Sequence, residues 1–559
     1  MTTIDSSPDV AGDSAVGRLL AADVAWLTAS DHKKIGRLLI SAGLLGLFAT
    51  VITNIFIAIE RVDGGTAAFD ADSWTQLLGS QRVGLVFGTA LPLVAGLAIA
   101  VTPIQLGARA LAFPRLAGLG MYLWLGGFIL SIVSLIDNGG FGGGNGDMVD
   151  LFLAALALMA LGFLAVGISL VTSVLTTRAP GMTMRRVPFF SFSVLVFGIG
   201  LVLVMPVLVG AVIYLFVDHR SGAREAFGGN EGITTWIGWV FTQPTTFLFA
   251  IPVLGLFAEL VPVTFRKRMP MRGVVFAGFA LVGVAALAAV TQQLRFDVPW
   301  QGSQLSLGDG DDVATKVGDI VPWALFHLLP LLGAGLLLMV MLMVAKPSKD
   351  DDGVSRTPNI TAGFIFAFFG FGMVLVGMAG AAIEPIVDLD LIGTVFGEAS
   401  LVYISYGIAL GVLGGIVYWS PKMSGHTLDM KKVAPLALLG VTGTVLAALP
   451  HYVAGFLGQP AGLAYDDSDL QIWNILALVG HSLMALTLLA FLGLLASTVL
   501  GTEPDAVDDP FDGQTIEWAT TSPAPRSNFV DVPTIMSAEP MLDLKNHDGP
   551  NDGSQRSAS

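Results

Sequence analysis

No cysteine occurs anywhere in the chain, only seven residues are histidine, and charged residues make up just 13% of positions. The absence of cysteine excludes disulfides, thiolate-held zinc and iron–sulfur clusters. A soluble protein keeps roughly a quarter of its residues charged. The shortage here, beside 54% hydrophobic residues, excludes an ordinary soluble domain. The net charge is −15 and no large basic face can be built, which argues against a nucleic-acid partner. The first thirty residues lack the basic-then-apolar layout of a cleaved signal peptide.

What is present is a series of long apolar runs. A bilayer core about 30 Å thick needs around 20 apolar residues per helix. Twelve such runs are found in the 559 residues, including 82–105, 234–263, 320–345 and 399–419, and ending with 471–500. The expected fold is therefore all-α, a twelve-transmembrane-helix bundle. Residues 1–30 form an N-terminal segment, 31–500 the membrane domain, and 501–559 a polar tail rich in Pro, Ser and Asp. Composition predicts that this tail is largely disordered. Basic residues collect at His32-Lys33-Lys34, at Arg109 and Arg115, and in RKRMPMR (266–272), all on one side of the bundle. The positive-inside rule then places both termini in the cytoplasm of a prokaryotic plasma-membrane protein. The glycine-rich loop GGFGGGNGD (139–147) joins two membrane helices, not a strand and a helix, so it reads as a linker and not as a phosphate cradle.

Five short stretches then stand out in chain order: DHKKIGRL (31–38), GARALAFPRL (107–116), RAPGMTMRRVPFFSFSVLV (178–196), YWSPKMSG (418–425) and DDPFDGQTIEWATTSPAPRSNF (508–529). Together they resemble subunit I of haem–copper oxidases, the cytochrome c oxidase family, over residues 31–532. The resemblance implies a twelve-helix bundle carrying two haems and one copper, which reduces oxygen and pumps protons beside subunit II- and III-like partners.

That chemistry needs imidazoles, and the family supplies six from helices two, six, seven and ten. Here histidine occurs only at 32, 219, 327, 426, 451, 481 and 547, so helices two, six, seven and ten have none. By the resemblance, the lost haem-ligand positions are Gln81 on helix two and Ala399 and Leu401 on helix ten. The lost copper-ligand positions are Gln243, Gln292 and Gln293, with Phe247 at the place of the cross-linked tyrosine. The paired arginines that would hold haem propionates fall at Ala461 and Gly462, and the proton-path carboxylates at Ala110 and Thr245. Gln keeps roughly the reach of His, so the three amides are expected to pair with one another and with Thr242 in the bundle interior.

The expectation is a cofactor-free, non-catalytic subunit I-like protein, structural or interacting within a respiratory-type membrane complex and solvated by membrane lipid. Two other readings stay open: an authentic oxidase with unusual ligation, and a carrier for a lipid, quinone or solute in the emptied haem space. Intramembrane ionisable residues are functional candidates by default, which singles out Glu259 and His327. Glu259 can alternatively reach the headgroup region, and His327 can serve as a hydrogen-bonded structural residue. His451 and His481 are read as structural.

Overall fold

The computed structural model describes residues 31–62, 68–221, 229–293, 305–306, 313–346, 357–463, 468–501, 503–532 and 534–547. The expected N-terminal segment 1–30 lies outside them. Among the described residues there is no strand, only two isolated β-bridges. Twelve helices are long and apolar enough to cross a membrane, as expected. They are α1 (His32–Val62), α2 (Ala71–Gln105), α3 (Pro114–Ile136), α4 (Gly146–Thr176), α5 (Phe189–Arg220) and α6 (Ile233–Phe265). There follow α7 (Arg272–Ala289), α8 (Lys316–Val344), α9 (Ala362–Ile383), α10 (Val395–Ser424), α11 (Met430–Phe456) and α12 (Gln471–Gly501). The chain is thus a multi-pass membrane protein.

The bundle has an inside and an outside. The apolar windows of α2, α6 and α10 are 100% buried, whereas those of the other nine helices are 28–61% buried. Three helices therefore form the centre, and they include α2 and α10, where the resemblance places haem-ligand positions. Close approach is achieved through glycine. A Cβ at Gly480 of α12 would stand 2.0 Å from the Ala447 amide nitrogen of α11, so only glycine lets these two backbones touch. The phenylalanine run of α9 fills space between helices: Phe371 lies 4.9 Å from Phe257 of α6, and Phe366 lies 6.0 Å from Phe491 of α12.

Three helices are irregular at mid-bundle. α2 widens into a π-turn over Gly84–Ala90, just before Pro92. α8 does the same over Ala324–Leu328, just before Pro330. In each case the proline lacks the N–H that would close the preceding helical turn. α6 is interrupted between Phe241 and Thr245, at Gln243-Pro244.

Over its described residues, 503–532 and 534–547, the tail is packed and not the disordered segment that composition predicts. Phe511, Ile516, Trp518, Phe529 and Ile535 are buried, and the segment runs as a strap under the helix connections on the termini side. Gln514 Nε2 donates to the Pro262 and Lys267 carbonyls at 3.0 and 3.1 Å. Asn528 Nδ2 donates to Ala108 O at 2.7 Å, and Asn528 Oδ1 accepts from Lys33 Nζ at 2.9 Å. Ile535 N–H donates to Pro180 O at 2.8 Å. Average polarity misleads here because a few spaced apolar anchors suffice, and the helix-end carbonyls need donors.

Candidate functional site

The site on α10 comes first. Ala399 and Leu401 are buried, 0% and 5% exposed, within the continuous apolar cluster of the bundle. Neither carries a donor atom. Gln81 is also buried, at the end of the first segment of α2. Five residues beyond Leu401, Tyr406 crosses the interior. Its hydroxyl accepts from Asn54 Nδ2 of α1 at 3.0 Å and meets His481 Nδ1 of α12 at 2.9 Å. This hydroxyl therefore ties α1, α10 and α12 together.

Above it, toward the side opposite the termini, Arg61 forms a bidentate pair with Glu398, Nη1–Oε2 2.9 Å and Nη2–Oε1 3.0 Å. The Arg61 side chain is wholly buried. Its Nη2 also donates to the carbonyl of Ala461 at 2.8 Å, and Trp74 Nε1 donates to the carbonyl of Gly462 at 2.9 Å. The two positions where the resemblance expects arginines are thus held by their backbone. Asn474 links Arg61 O, at 3.0 Å, to Gln459 Nε2, at 3.1 Å. Asn54 Oδ1, Arg61 Nε, His451 Nε2 and Gln459 Oε1 are buried with no hydrogen-bond partner among protein groups.

The second part lies on α6 and α8. Phe247 is fully buried, and its ring meets the His327 ring edge-on at 6.2 Å and 87°. Gln243 Nε2, Thr245 Oγ1, Thr246 Oγ1 and His327 Nδ1 are buried with no hydrogen-bond partner among the described residues. The expected amide pairing falls in part on residues outside the described ones. The side chains of Gln292 and Gln293 lie outside the described residues, and Thr242 Oγ1 donates weakly to Gly238 O at 3.4 Å. The reason is local: the break before Pro244 frees the Gly238 carbonyl, and the threonine takes it. Trp239 is buried and donates to Trp236 O at 2.9 Å, so the kept tryptophan braces the break.

The third part is a pair of acids at the termini side. Glu259 does not reach the headgroup region. It is 3% exposed and accepts from the Phe190 N–H at 3.3 Å. Glu517, from the strap, lies within electrostatic range of it. Glu517 Oε1 accepts from Gln105 Nε2 at 3.0 Å and Trp419 Nε1 at 3.2 Å, while Ser191 donates to Gln105 Oε1 at 2.8 Å. Burial pushes the Glu517 carboxyl up, and the donated hydrogen bonds oppose this only in part. Ala110 carries no carboxylate to join them.

Comparison with known proteins bears on these positions. The family model described as cytochrome c and quinol oxidase polypeptide I matches residues 34–294. The chain is 28% identical to a probable cytochrome c oxidase subunit 1-alpha of Streptomyces avermitilis, covering 93% of this chain and 89% of the relative. It is 28% identical to cytochrome c oxidase subunit 1 of Corynebacterium glutamicum, again over 93% and 89%. It is 27% identical to the Bacillus subtilis subunit 1, over 92% and 82%. The chain is haem–copper oxidase subunit I-like.

For a subunit I-like protein the haem and copper positions can be tested against the residues present, and they do not fit. A low-spin haem needs a strong donor on each face. The α10 positions offer two aliphatic side chains, and Tyr406 bridges the helices beside them. Propionates would need a free cation, but Arg61 is already neutralised by Glu398. At the copper position the described side chains offer an amide, two threonine hydroxyls and one imidazole. No group of three His, Asp or Glu placed to hold a metal ion occurs among the described residues.

Reading the sequence missed Arg61, Glu398, Asn54, Tyr406 and the strap's Glu517. The signal for Arg61 and Glu398 was available: each is an ionisable residue at the end of an apolar run. His481 does lie in a polar cluster, consistent with its structural reading.

Proposed function

We propose that this subunit I-like protein works without haem or copper, as a structural and interaction subunit of a respiratory-type membrane complex beside subunit II- or III-like partners. Both termini face the cytoplasm of a prokaryotic plasma membrane on this reading, as the distribution of basic residues argues. One observation carries it: the two α10 ligand positions are the buried, donor-free Ala399 and Leu401. The Tyr406 strut and the Arg61–Glu398 pair add support, because they supply from side chains the cross-links that a cofactor would otherwise make between α1, α10 and α12.

The test is expression with haem and copper supplied, followed by an absorption spectrum and metal analysis of the purified protein. A spectrum without a Soret band, and copper well below one per chain, is expected. Stoichiometric haem overturns the proposal. The rival reading, an oxygen-reducing subunit with unusual ligation, is favoured by the names of the relatives and requires both a Soret band and oxygen consumption. Affinity purification from native membranes, with the co-purifying membrane subunits identified by mass spectrometry, tests the partner part. Purification as a lone chain would count against it.

A further inference from the structure

A groove of about 620 Å³ opens between α1, the first segment of α2 and the end of α3. It is separate from the sites described above. Its lining on α2 runs from Asp70 to Gly84, which at 1.5 Å per residue is about 20 Å of helix. That length reaches from the membrane surface opposite the termini to mid-bilayer, the depth of one leaflet. The lower wall is apolar, with Leu77, Val83, Phe128 and Ile132. The side rim faces the lipid, since Ile132 is 42% and Ile136 81% exposed.

The mouth is different. Asp70, Asp72, Gln76 and Asn138 line it, and no lysine or arginine does among the described residues. Gln76 is more than nine-tenths buried. Its Nε2 donates to Asn138 Oδ1 at 2.9 Å, and its Oε1 has no hydrogen-bond partner. Asn138 in turn donates to Asp72 Oδ2 at 3.3 Å. Asp70 Oδ1 accepts from the Ser73 N–H at 2.8 Å. The acceptors the mouth presents are the oxygens of Asp70, Asp72 and Asn138, and it carries negative charge. A head placed there must donate hydrogen bonds and must not be an anion overall.

We propose that this groove is a specific site for a phospholipid of net-neutral, ammonium-bearing head, of the phosphatidylethanolamine type. One acyl chain lies along Leu77, Phe128 and Ile132, and the ammonium donates to the acceptors at the mouth. The alternatives are separable by head chemistry. A choline head has the charge without N–H donors. A glycerol head has donors on a lipid of net negative charge.

The full chain in detergent is titrated with phosphatidylethanolamine, phosphatidylcholine and phosphatidylglycerol of equal acyl chains, and bound lipid is read by native mass spectrometry. About five-fold tighter retention of the ethanolamine lipid than of either competitor is expected, the scale of one charge interaction at a membrane surface. Asp72→Asn should reduce that preference to under about two-fold. Ile132→Trp, at an exposed position, should abolish the tight site by filling the groove while leaving the melting temperature unchanged. Equal retention of the three lipids, stronger retention of the anionic one, or undiminished binding in Ile132→Trp would each overturn the proposal.

Discussion

Single side chains in this interior act through hydrogen bonds that have no substitute nearby. The Tyr406 hydroxyl satisfies Asn54 Nδ2 and meets His481 at once, in a region where both residues are almost wholly buried. Tyr406→Phe leaves two buried polar groups unpaired, and the cost should be about 2–4 kcal/mol. Thermal unfolding in detergent checks this, and a variant as stable as the parent would show that the strut contributes nothing. Glu384, just beyond the end of α9, makes a pH prediction. Its carboxyl is packed over Gly397, and burial pushes it up to about 7 from the ordinary 4.5. A carboxyl raised in the folded state favours folding while it stays protonated. Its contribution is present in full below the unfolded value and is lost as pH rises through the folded one. The melting temperature should therefore fall between about pH 4.5 and 7 through this group, and Glu384→Gln should flatten that part of the profile.

At the level of the helices, placement follows from where small residues allow contact and where proline breaks regularity. Gly480 sets the α11–α12 contact. Gly480→Val would drive two backbones apart, with an expected loss of about 3 kcal/mol, at the upper end of what overpacking costs. A shift of the melting temperature by only a degree would show that the pair has room to slide. α6 is the more informative helix. Its broken turn carries Trp239 and Pro244, with Gln243 and Phe247 at the places to which the resemblance assigns the chemistry. Placing one imidazole there, Gln243→His, should give no copper binding, because the other two positions that the resemblance assigns to copper hold Gln292 and Gln293 and no histidine occurs between 220 and 326. Metal analysis after copper loading reads this directly.

For the whole molecule, the strap is the largest departure from what composition predicts. It closes the termini side by bonding to the α2–α3, α4–α5 and α6–α7 connections, and Lys33 at the start of α1 holds it. A chain ending at residue 507 loses these ties and uncovers Gln105, Trp419 and Glu259. It should be markedly less stable to heat and more readily cut in the loops by added protease. Equal protease resistance of the shortened and full chains would show that the strap is dispensable. Raised pH should loosen it by the same sign argument as for Glu384. Burial raises the Glu517 carboxyl, so docking is favoured when it is protonated and weakens as it ionises beside Glu259.

The sequence alone determined the twelve-helix count, the family likeness and the absence of imidazole from α2, α6, α7 and α10. These are properties of local apolar runs, of ordered motifs and of composition, and none depends on how the helices pack. Only the tertiary structure decided what surrounds the positions that the resemblance assigns to ligands. Arg61 meets Glu398 and the Ala461 carbonyl across hundreds of residues of chain, and Tyr406 meets Asn54 and His481 in the same way. The strap's order was equally hidden, because its few anchors are stabilised by loops far away in the chain. A partner brought close by folding leaves no periodic mark in the sequence on either side of the contact.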